Sequence, residues 1–596
     1  MCGIFGIITD KEQLLGPILV NAAKRLSYRG YDSVGCATIT QNGHIDLRKD
    51  VGKVDEVAPR LNFDEMVGTR GITQLRWATF GSPSLANSQP HLDSKGIMVG
   101  AHNGNVVNNL ELRQQFIHEG MVVRSENDGE TCVHAVERYI DKGYDIIDAI
   151  RKAYDDLMGD YSFVIGMVGE EKLYAFKKGS GLVAGITNNA TCVSSDLPSI
   201  LPITRKVLSI EDGEIVILQH DKIEIRSVND GSLIERKYEF ISESMDLAKK
   251  GGYAHFMLKE IHEQPQVARE LIHMLDNSPN VSPMAQRMSH ARNLYLIGCG
   301  TSYHACILGS IYISNLAGKA AIPVLATQFI PQYGQSLNQD DVGIFVSQSG
   351  ETKDVLNALT IAKSKGIQAF GLVNVIGSTL TKATELYLPL TCGYEISVPA
   401  TKTYTNQVIT FLYIALKMGN NSTSQLNILP DLIEESVVTS EVQMKRLESV
   451  LDTWNDTYCL GYGSTYPIAL EGALKLKEVT DIHCEGLLST EFKHGPLAAV
   501  RNGYPIIFIA GPDDVSIIVS GINEVSCRGA RTIVICEEDS RLLSNANDII
   551  VVPRSGALYN PILAIIPLQL LAYHVSLSRG FDPDYPQNLS KTLTVD

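Results

Sequence analysis

The alternation of apolar and polar positions divides the chain into two parts with different periodicities. In residues 1–240, Pro17 opens a helical spacing of apolar residues that ends near Gly30. Further along, β-rich runs are punctuated by Gly and Asp and predict antiparallel meander strands at residues 161–168, 173–177 and 214–218. The pattern therefore predicts an α+β domain over residues 1–240.

The second part has the rhythm of a parallel sheet. Apolar runs that alternate with loops and helices predict strands at residues 293–297, 342–346 and 369–373. The ten residues Leu294–Tyr303 match Thr457–Tyr466, and both pairs of aligned glycines share one offset, which indicates a duplicated α/β domain. We predict a polar and helical connector at 241–285, α/β domains at 286–425 and 450–585, and a tail at 586–596.

Composition and charge narrow the classes of function. The chain has 596 residues, which is too many for one core, and a net charge of −16, which argues against nucleic acid and anionic membranes as partners. Its 11 cysteines include no C-x-x-C pair and show no zinc spacing. No signal-peptide pattern is present, and the most apolar run, residues 565–577, reads as too short and too polar to span a bilayer. We expect a cytoplasmic protein.

The second residue carries the first candidate chemistry. Met1 is commonly removed before a small residue, which would leave Cys2 with a free thiol and a free α-amine. A terminal amine titrates near a pKa of ~7.7–8.0, so its neutral fraction is able to take the proton of the thiol. Cys2 is therefore a candidate nucleophile, and a buried structural thiol in an apolar strand is the alternative.

Three further stretches of the first part carry suitable polar groups. Arg76 in QLRWATFG offers a planar fork for a carboxylate, or it forms an ordinary surface ion pair. Asn103 and Gly104 in AHNGN suit an oxyanion hole, and they equally suit a hairpin turn. Asp128 in SENDGE suits an ammonium ligand, or it caps a helix.

The second part carries an anion-binding pattern and a charged helix face. Residues 347–352 (SQSGET) lie where a strand ends and a helix begins, which suits a phosphate as well as a simple helix cap. The loop has no Lys and is not a nucleotide P-loop. Glu471, Lys475 and Glu478 share one helical face, either as a catalytic set or as a solvated ladder. Lys591 lies in a tail of a kind that is often disordered.

The first-part motifs MCGIFGI, YRGYDS, RWAT, HNG and S-E-x-D-x-E resemble the class II glutamine amidotransferases. These are N-terminal-nucleophile hydrolases with a four-layer αββα fold. The resemblance implies that Cys2 attacks the side-chain amide of glutamine and forms a thioester, with Asn103 and Gly104 as the oxyanion hole. It implies glutamine contacts from Arg29, Arg76, Trp77, Thr79 and Asp128.

The second-part motifs SQSGET, EGALKLKE, KHGP and K-x-x-T-V-acid resemble the sugar isomerase (SIS) domains of the amidotransferases that make glucosamine 6-phosphate. The resemblance implies two flavodoxin-like SIS domains, no metal or organic cofactor, and a homodimer formed through these domains. It implies that Lys591 forms a Schiff base with the open-chain ketose and that His494 assists ring opening. Glu478 would move a proton between carbons 1 and 2, assisted by Lys475. Sugar-phosphate contacts are implied for Thr301, Ser302, Ser347, Gln348, Ser349, Thr352 and Val398.

The two resemblances together imply transfer of the glutamine amide nitrogen to fructose 6-phosphate, the first step of hexosamine biosynthesis. Ammonia would pass through a channel that Trp77 gates. Four positions depart from the usual pattern and bear on sugar contacts and coupling, namely Phe80, Ala400, Thr490 and Gln587. A related amidotransferase or deglycase for another sugar phosphate, and a non-catalytic sugar-phosphate sensor, are the alternatives.

Overall fold

The structure is a computed structural model that describes residues 2–78, 80–241, 250–451, 454–589 and 591. The chain divides into two compact units. One is Met1–Asp246 with Ser590–Asp596, and the other is Leu247–Leu589.

The amino-terminal unit begins with strand β1 and alternates strands with short helices. In chain order its described elements are β1 (Gly3–Leu14), α1 (Gly16–Leu26), β2 (Ser33–Ile39), β3 (Ile45–Val51), α2 (Val54–Arg60), β4 (Val67–Arg76), β5 (His91–Leu92), β6 (Met98–Val106), α3 (Asn109–His118), α4 (Asp128–Asp141), α5 (Ile146–Asp156), β7 (Gly159–Met167), β8 (Leu173–Lys178), β9 (Val183–Ile186), β10 (Ala190–Ser194), α6 (Leu197–Ile200), β11 (Lys206–Ser209), β12 (Glu214–Gln219), β13 (Lys222–Ser227), β14 (Leu233–Ile234) and β15 (Glu239–Phe240).

These strands form two sheets that share a core. The first has the order β15-β11-β9-β10-β1-β4-β2-β3 and the second β14-β13-β12-β8-β7-β6-β5. Apolar side chains from both sheets, such as Ile4 of β1 and Val164 of β7, form one buried cluster. Helices α1 and α2 cover the outer face of the first sheet, and α4 and α5 cover that of the second. The layers are therefore α, β, β and α, which confirms the predicted fold class.

The predicted elements of this unit are present, with one error of connection. Pro17 lies in the first turn of α1, which ends at Leu26 in a short 3-10 turn. The predicted strands correspond to β7, β8 and β12, and both pairings are antiparallel. The meander interpretation was wrong, because the chain crosses to the first sheet through β9, β10 and β11 before β12 returns to pair with β8. Local periodicity does not report which sheet a strand joins.

The carboxy-terminal unit begins with two helices and then repeats a strand-helix alternation. In chain order its described elements are α7 (Phe256–Asn277), α8 (Val281–His290), β16 (Leu294–Gly298), α9 (Thr301–Ala317), β17 (Ile322–Leu325), α10 (Ala326–Tyr333), β18 (Val342–Ser347), α11 (Lys353–Ser364), β19 (Gln368–Val373), α12 (Thr379–Ala383), β20 (Leu386–Pro389), α13 (Lys402–Met418), α14 (Leu429–Leu451), β21 (Asp456–Gly461), α15 (Tyr466–Thr480), β22 (His483–Leu488), β23 (Pro505–Ile509), α16 (Val515–Ser526), β24 (Arg531–Cys536), α17 (Ser540–Leu543), β25 (Asp548–Val551) and α18 (Gly556–Ser578).

Two five-stranded parallel sheets organise this unit. Their orders are β17-β16-β18-β19-β20 and β22-β21-β23-β24-β25, so each has the 2-1-3-4-5 order of flavodoxin-like folds. The aligned glycines adopt the same left-handed backbone, with φ of 51° at Gly300 and 55° at Gly463. The structure therefore confirms the predicted parallel sheets and their duplication.

Two helices of this unit bear on their sequence-based interpretation. The segment predicted as a polar and helical connector does contain a helix, α7, and ten residues of this helix are buried against the core. The segment at residues 565–577 belongs to α18, a 23-residue helix that is long and apolar enough to cross a bilayer, so the prediction of a segment too short to span was wrong. In this fold 83% of its apolar window is buried inside the protein, which is the environment of a core helix.

Candidate active sites

Cys2 immediately precedes β1 and is 3% exposed. Its backbone nitrogen donates to Asn103 Oδ1 at 3.0 Å, and the Trp77 backbone N–H donates to Cys2 Sγ at 3.4 Å. Burial raises the pKa of the Cys2 thiol, while the Trp77 N–H and the charge of Arg76 act in the opposite direction. The nitrogen and the sulfur of the candidate nucleophile are therefore both fixed by neighbouring groups.

Asn103 and Gly104 lie near the end of β6. The Asn103 Nδ2 amide is buried and has no hydrogen-bond partner among the described residues, while its Oδ1 is held by Cys2. Gly104 has φ of 136°, and a Cβ there would lie 2.1 Å from the carbonyl oxygen of Asp160, so only glycine fits. An unsatisfied buried N–H beside the nucleophile is the geometry that an oxyanion hole requires.

Asp128 is the first residue of α4 and is fully buried. Its Oδ2 accepts hydrogen bonds from His102 Nε2 at 3.1 Å and from the Val106 N–H at 3.0 Å. The helix begins here because the preceding Asn127 side chain accepts from the Gly129 N–H. Asp128 is therefore not the cap of α4, and its carboxylate belongs to a buried hydrogen-bond network.

Arg76 ends β4 and is also fully buried. Its guanidinium donates to the carbonyl oxygens of Phe80, Gly81 and Ser82. The surface ion pair considered from the sequence is therefore excluded at this position. In this structure the planar fork is occupied by backbone oxygens of the segment that follows β4.

Two other predicted glutamine contacts lie beside Cys2. Arg29 Nε donates to the Cys2 carbonyl at 3.3 Å, and its Nη1 pairs with Asp196 at 3.0 Å. The ring of Trp77 packs edge-on against Tyr31, with ring centroids 6.0 Å apart. Thr79 lies outside the described residues.

The predicted phosphate loop follows β18 and leads into α11. Ser347 Oγ lies 2.8 Å from Thr352 Oγ1 and accepts from the Gly350 N–H at 3.0 Å. Gly350 has φ of 70°, and a Cβ there would lie 2.1 Å from Ser378 Oγ.

The other residues of the loop are also hydrogen-bonded. Ser349 Oγ accepts from the Glu351 N–H at 3.1 Å, and the Gln348 carbonyl accepts from the Asn374 N–H. The loop is thus a compact turn rich in hydroxyl groups at a helix N-terminus.

The charged face of α15 is buried rather than solvated. Glu471 and Lys475 are both fully buried, and Lys475 Nζ lies 3.3 Å from Glu471 and 2.5 Å from Glu478. Burial lowers the pKa of Lys475, but the two carboxylates outweigh this effect and leave it raised. Lys475 is therefore a cation held between two acids, and the surface-ladder alternative is excluded.

The same cluster joins the two parallel-sheet halves of the unit. Lys475 Nζ donates to Thr301 Oγ1 at 3.2 Å, and Thr301 donates in turn to Glu471 at 3.0 Å. His304 Nδ1 lies 2.7 Å from the other oxygen of Glu471. The sequence placed Glu471 on the same helical face as Lys475 but gave it no individual role, and it did not single out His304, which follows Thr301 by one turn.

The remaining predicted sugar-site residues are more dispersed. Ser302 Oγ accepts from Gln407 Nε2 at 2.9 Å, and Gln407 was not identified from the sequence. The Val398 N–H donates to the Asp584 carbonyl. His494 is exposed at the end of a 3-10 turn, and Lys591 groups with the amino-terminal unit. The roles predicted for His494 and Lys591 stay predictions.

Known proteins resemble the chain over its whole length. A family model described as SIS domain matches residues 287–417 and 451–579, and one described as glutamine amidotransferase domain matches residues 77–202. A relative from Thermococcus kodakarensis, named glutamine–fructose-6-phosphate aminotransferase (isomerizing), is 38% identical over 100% of both chains. The chain belongs to this aminotransferase family. A member from Methanothermobacter thermautotrophicus is 39% identical over 100% of both chains.

A solved structure supports the family assignment of the carboxy-terminal unit. The C-terminal domain of glucosamine-fructose-6-phosphate aminotransferase from Francisella tularensis is 28% identical, with a TM-score of 0.53. It covers 57% of this chain and 100% of that one. Within this aminotransferase chain the two SIS matches contain the two parallel sheets, and the amidotransferase match contains Asn103 and Asp128.

Proposed function

We propose that this chain transfers the amide nitrogen of L-glutamine to fructose 6-phosphate and isomerises the product to glucosamine 6-phosphate, releasing L-glutamate. Membership of the aminotransferase family over the full length supports the proposal. The observation that carries it is the cluster of Glu471, Lys475 and Glu478 against Thr301, in which Glu471 and Lys475 are fully buried. Burying these two charges is costly, and a sensor that only binds a sugar phosphate has no need of them.

In the proposed glutaminase reaction, Cys2 acts after residue 1 has been removed. Its α-amine takes the thiol proton, and the sulfur attacks the side-chain amide carbon of glutamine. The resulting oxyanion accepts hydrogen bonds from Asn103 Nδ2 and the Gly104 N–H. Collapse of this intermediate forms a thioester and releases ammonia, which leaves with the proton that the α-amine had taken from the thiol. Water then hydrolyses the thioester to glutamate and regenerates the thiol. Arg76 binds the α-carboxylate and Asp128 the α-ammonium of the substrate.

In the proposed isomerase reaction, residues 347–352 together with Thr301, Ser302 and Val398 hold the sugar phosphate. His494 assists ring opening, and Lys591 then forms a Schiff base with the ketose carbonyl at carbon 2, releasing water. Ammonia adds to the same carbon and displaces Lys591, which leaves the ketimine of the sugar. Glu478 then moves a proton from carbon 1 to carbon 2, since a carboxylate within reach of both carbons is able to serve as base and then as acid. Lys475, a cation between two carboxylates, stabilises the negative charge that develops on the enolamine.

We propose that ammonia passes between the two reactions without entering water, where it would become unreactive ammonium. This transfer is the reason for placing both activities on one chain, and Trp77 is the proposed gate. We further propose a homodimer formed through the SIS domains, a cytoplasmic location, and no requirement for a metal or an organic cofactor.

The test is to count glutamate and glucosamine 6-phosphate separately in reactions of the full-length protein. We expect equal amounts from wild type, neither product from Cys2→Ala, and glutamate without amino sugar from Lys475→Met. Cys192→Ala is the matched control, because Cys192 is an equally buried thiol in the same unit with no assigned role.

Two outcomes would contradict the proposal. Glutamate without amino sugar from wild type would reject fructose 6-phosphate as the acceptor. A measured mass that retains Met1 in the active protein would reject the α-amine as the base for Cys2.

A further inference from the structure

A row of buried polar side chains lies behind the Asp128 carboxylate and has no role in the proposed chemistry. Gln89 is fully buried and His102 is 1% exposed. Groups of this kind are expensive to bury unless every polar atom finds a partner. Gln89 uses both ends of its amide on His102, and the ring of His102 reaches Asp128.

The geometry determines where each proton of this row lies. The His102 backbone N–H can only donate, and the Gln89 side-chain atom 2.7 Å away from it is therefore the oxygen. The other end of the same amide is then the NH₂ group, and it donates to His102 Nδ1 at 3.0 Å. Since Nδ1 accepts, the proton of a neutral imidazole is on Nε2, 3.1 Å from Asp128 Oδ2.

A second amide is fixed by the same argument on the other side of Asp128. The Gly129 N–H donates to Asn127 Oδ1 at 2.9 Å, so the Asn127 amide presents its NH₂ group to Asp128 Oδ1 at 3.3 Å. Together with the Val106 N–H, Asp128 therefore receives three donors although it is fully buried. Both oxygens of this carboxylate are therefore held in fixed positions by hydrogen-bond donors.

We propose that His102, held as its Nε2–H tautomer by Gln89, is a positioning residue that orients the Asp128 carboxylate for the α-ammonium of glutamine. The tautomer matters because a neutral donor leaves Asp128 with its full negative charge. An imidazolium in the same place would cancel that charge and remove the attraction for an ammonium group. The inference rests on the proposed function, in which Asp128 binds the α-amine of the substrate.

The experiment compares two amides that differ only in the group that Asp128 is proposed to bind. One is L-glutamine, and the other is glutaric acid monoamide, which is glutamine without its α-amino group. The kcat and KM for ammonia release are measured for each with the full-length enzyme. The ratio of the two kcat/KM values is the selectivity for the α-ammonium.

We expect His102→Ala to lower this selectivity about 10-fold or more, because a hydrogen bond to a charged group is lost. The kcat/KM for the monoamide should stay within about twofold of wild type. His102→Gln, whose amide N–H is able to donate from a similar position, should restore most of the selectivity. His134→Gln is the matched control, since His134 is an equally buried histidine that contacts carboxylates of α4 but not Asp128.

Gln89→Met keeps the imidazole and removes only the group that fixes its tautomer. We expect a fall in selectivity of about threefold, and this variant carries the test if His102→Ala does not fold. Equal losses on both amides would indicate a structural role and overturn the inference, as would an unchanged selectivity in His102→Ala and Gln89→Met. A wild-type enzyme that processes both amides equally well would instead overturn the assignment of Asp128 and the inference with it.

Discussion

The two halves of the carboxy-terminal unit have the same fold but carry different polar and charged side chains at corresponding positions. Both sheets have the order 2-1-3-4-5, and both first strands end in a turn with a left-handed glycine, at Gly300 and Gly463. In the first half, the helix after the third strand is preceded by Thr352, whose hydroxyl lies 2.8 Å from that of Ser347. In the second half, the corresponding residue before the helix is Asp514.

Asp514 places a carboxyl group of the protein at this position of the second half. One of its carboxylate oxygens lies 3.4 Å from Thr465 Oγ1, the residue that aligns with Ser302. The position that suits a phosphate in the first half therefore holds a carboxylate of the protein in the second. Burial raises the pKa of Asp514 to about 7, which reports an acid in an unfavourable place for its charge.

The helices that follow the first strands are α9 and α15, and they also differ in their charged residues. Helix α15 of the second half carries Glu471 and Lys475, both buried. The alignment that pairs Gly300 with Gly463 places Leu308 and Tyr312 of α9 at these two positions in the first half. Both side chains pack into the core. The two copies of one scaffold therefore carry different polar groups. On the proposed assignments, the first copy supplies the loop that binds the sugar phosphate and the second supplies the helix with the acid-base group.

The largest loss of amino-sugar formation should come from replacing the buried cation of α15 by an uncharged side chain, since α9 carries no charge at the aligned position. Lys475→Met removes the cation between Glu471 and Glu478, so the rate of amino-sugar formation should fall about 100- to 1,000-fold, as for loss of a group that stabilises developing negative charge. It also leaves Glu471 buried without its cation, which should cost about 3–5 kcal/mol in the free energy of unfolding. Product assays and urea denaturation measure the two effects.

The double variant Glu471→Leu/Lys475→Met separates structure from chemistry. It removes both buried charges and carries, at 471, the leucine that α9 has at 308. We expect most of the lost stability to return while amino-sugar formation stays absent. Recovery of activity in the double variant would show that α15 has only a structural role.

The next largest effect, on the KM for fructose 6-phosphate, should come from placing an acid before α11, as the second half has before α16. Thr352→Asp places a carboxylate at the N-terminus of α11, where the sugar phosphate is proposed to bind. Because like charges repel, we expect the KM for fructose 6-phosphate to rise at least about 100-fold with glutaminase activity retained. Steady-state kinetics at varied sugar phosphate measure this change. The mirror variant Asp514→Thr is the control, and an unchanged KM in Thr352→Asp would place the phosphate elsewhere.

The smallest effect concerns the pH dependence of stability. Because the folded-state pKa of Asp514 is raised to about 7, the native protein binds a proton that the unfolded chain has already released above about pH 4. This contribution to stability is present at low pH and is lost as the pH rises through 7. Between pH 5.5 and 8 the wild type should lose about 2 kcal/mol through this group, and Asp514→Asn should not.

Urea denaturation of both proteins at the two pH values measures the difference. Asp513→Asn is a matched control, since it changes the neighbouring acid and leaves Asp514 in place. A pH slope that is the same in wild type and in Asp514→Asn would show that the carboxylate is already ionised in the folded protein.

The sequence was most informative where chemistry and periodicity coincide. The repeat of ten residues located both first strands, and the i, i+4, i+7 spacing placed Glu471, Lys475 and Glu478 on one face. Periodicity did not report that this face is buried, because α9, the helix that contacts it through Thr301 and His304, belongs to a distant part of the chain. For the same reason the partners His304 of Glu471 and Gln89 of His102 were not found. Such contacts depend on tertiary packing rather than on spacing.

The guanidinium of Arg76 donates to three backbone carbonyls of the segment after β4. If Arg76 binds the α-carboxylate of glutamine, the ligand competes with the protein's own oxygens and not with solvent. Glutamine binding is then an exchange of hydrogen-bond acceptors. Its affinity measures the difference between two sets of bonds, and substitutions that loosen residues 80–82 should tighten glutamine binding without touching the ligand.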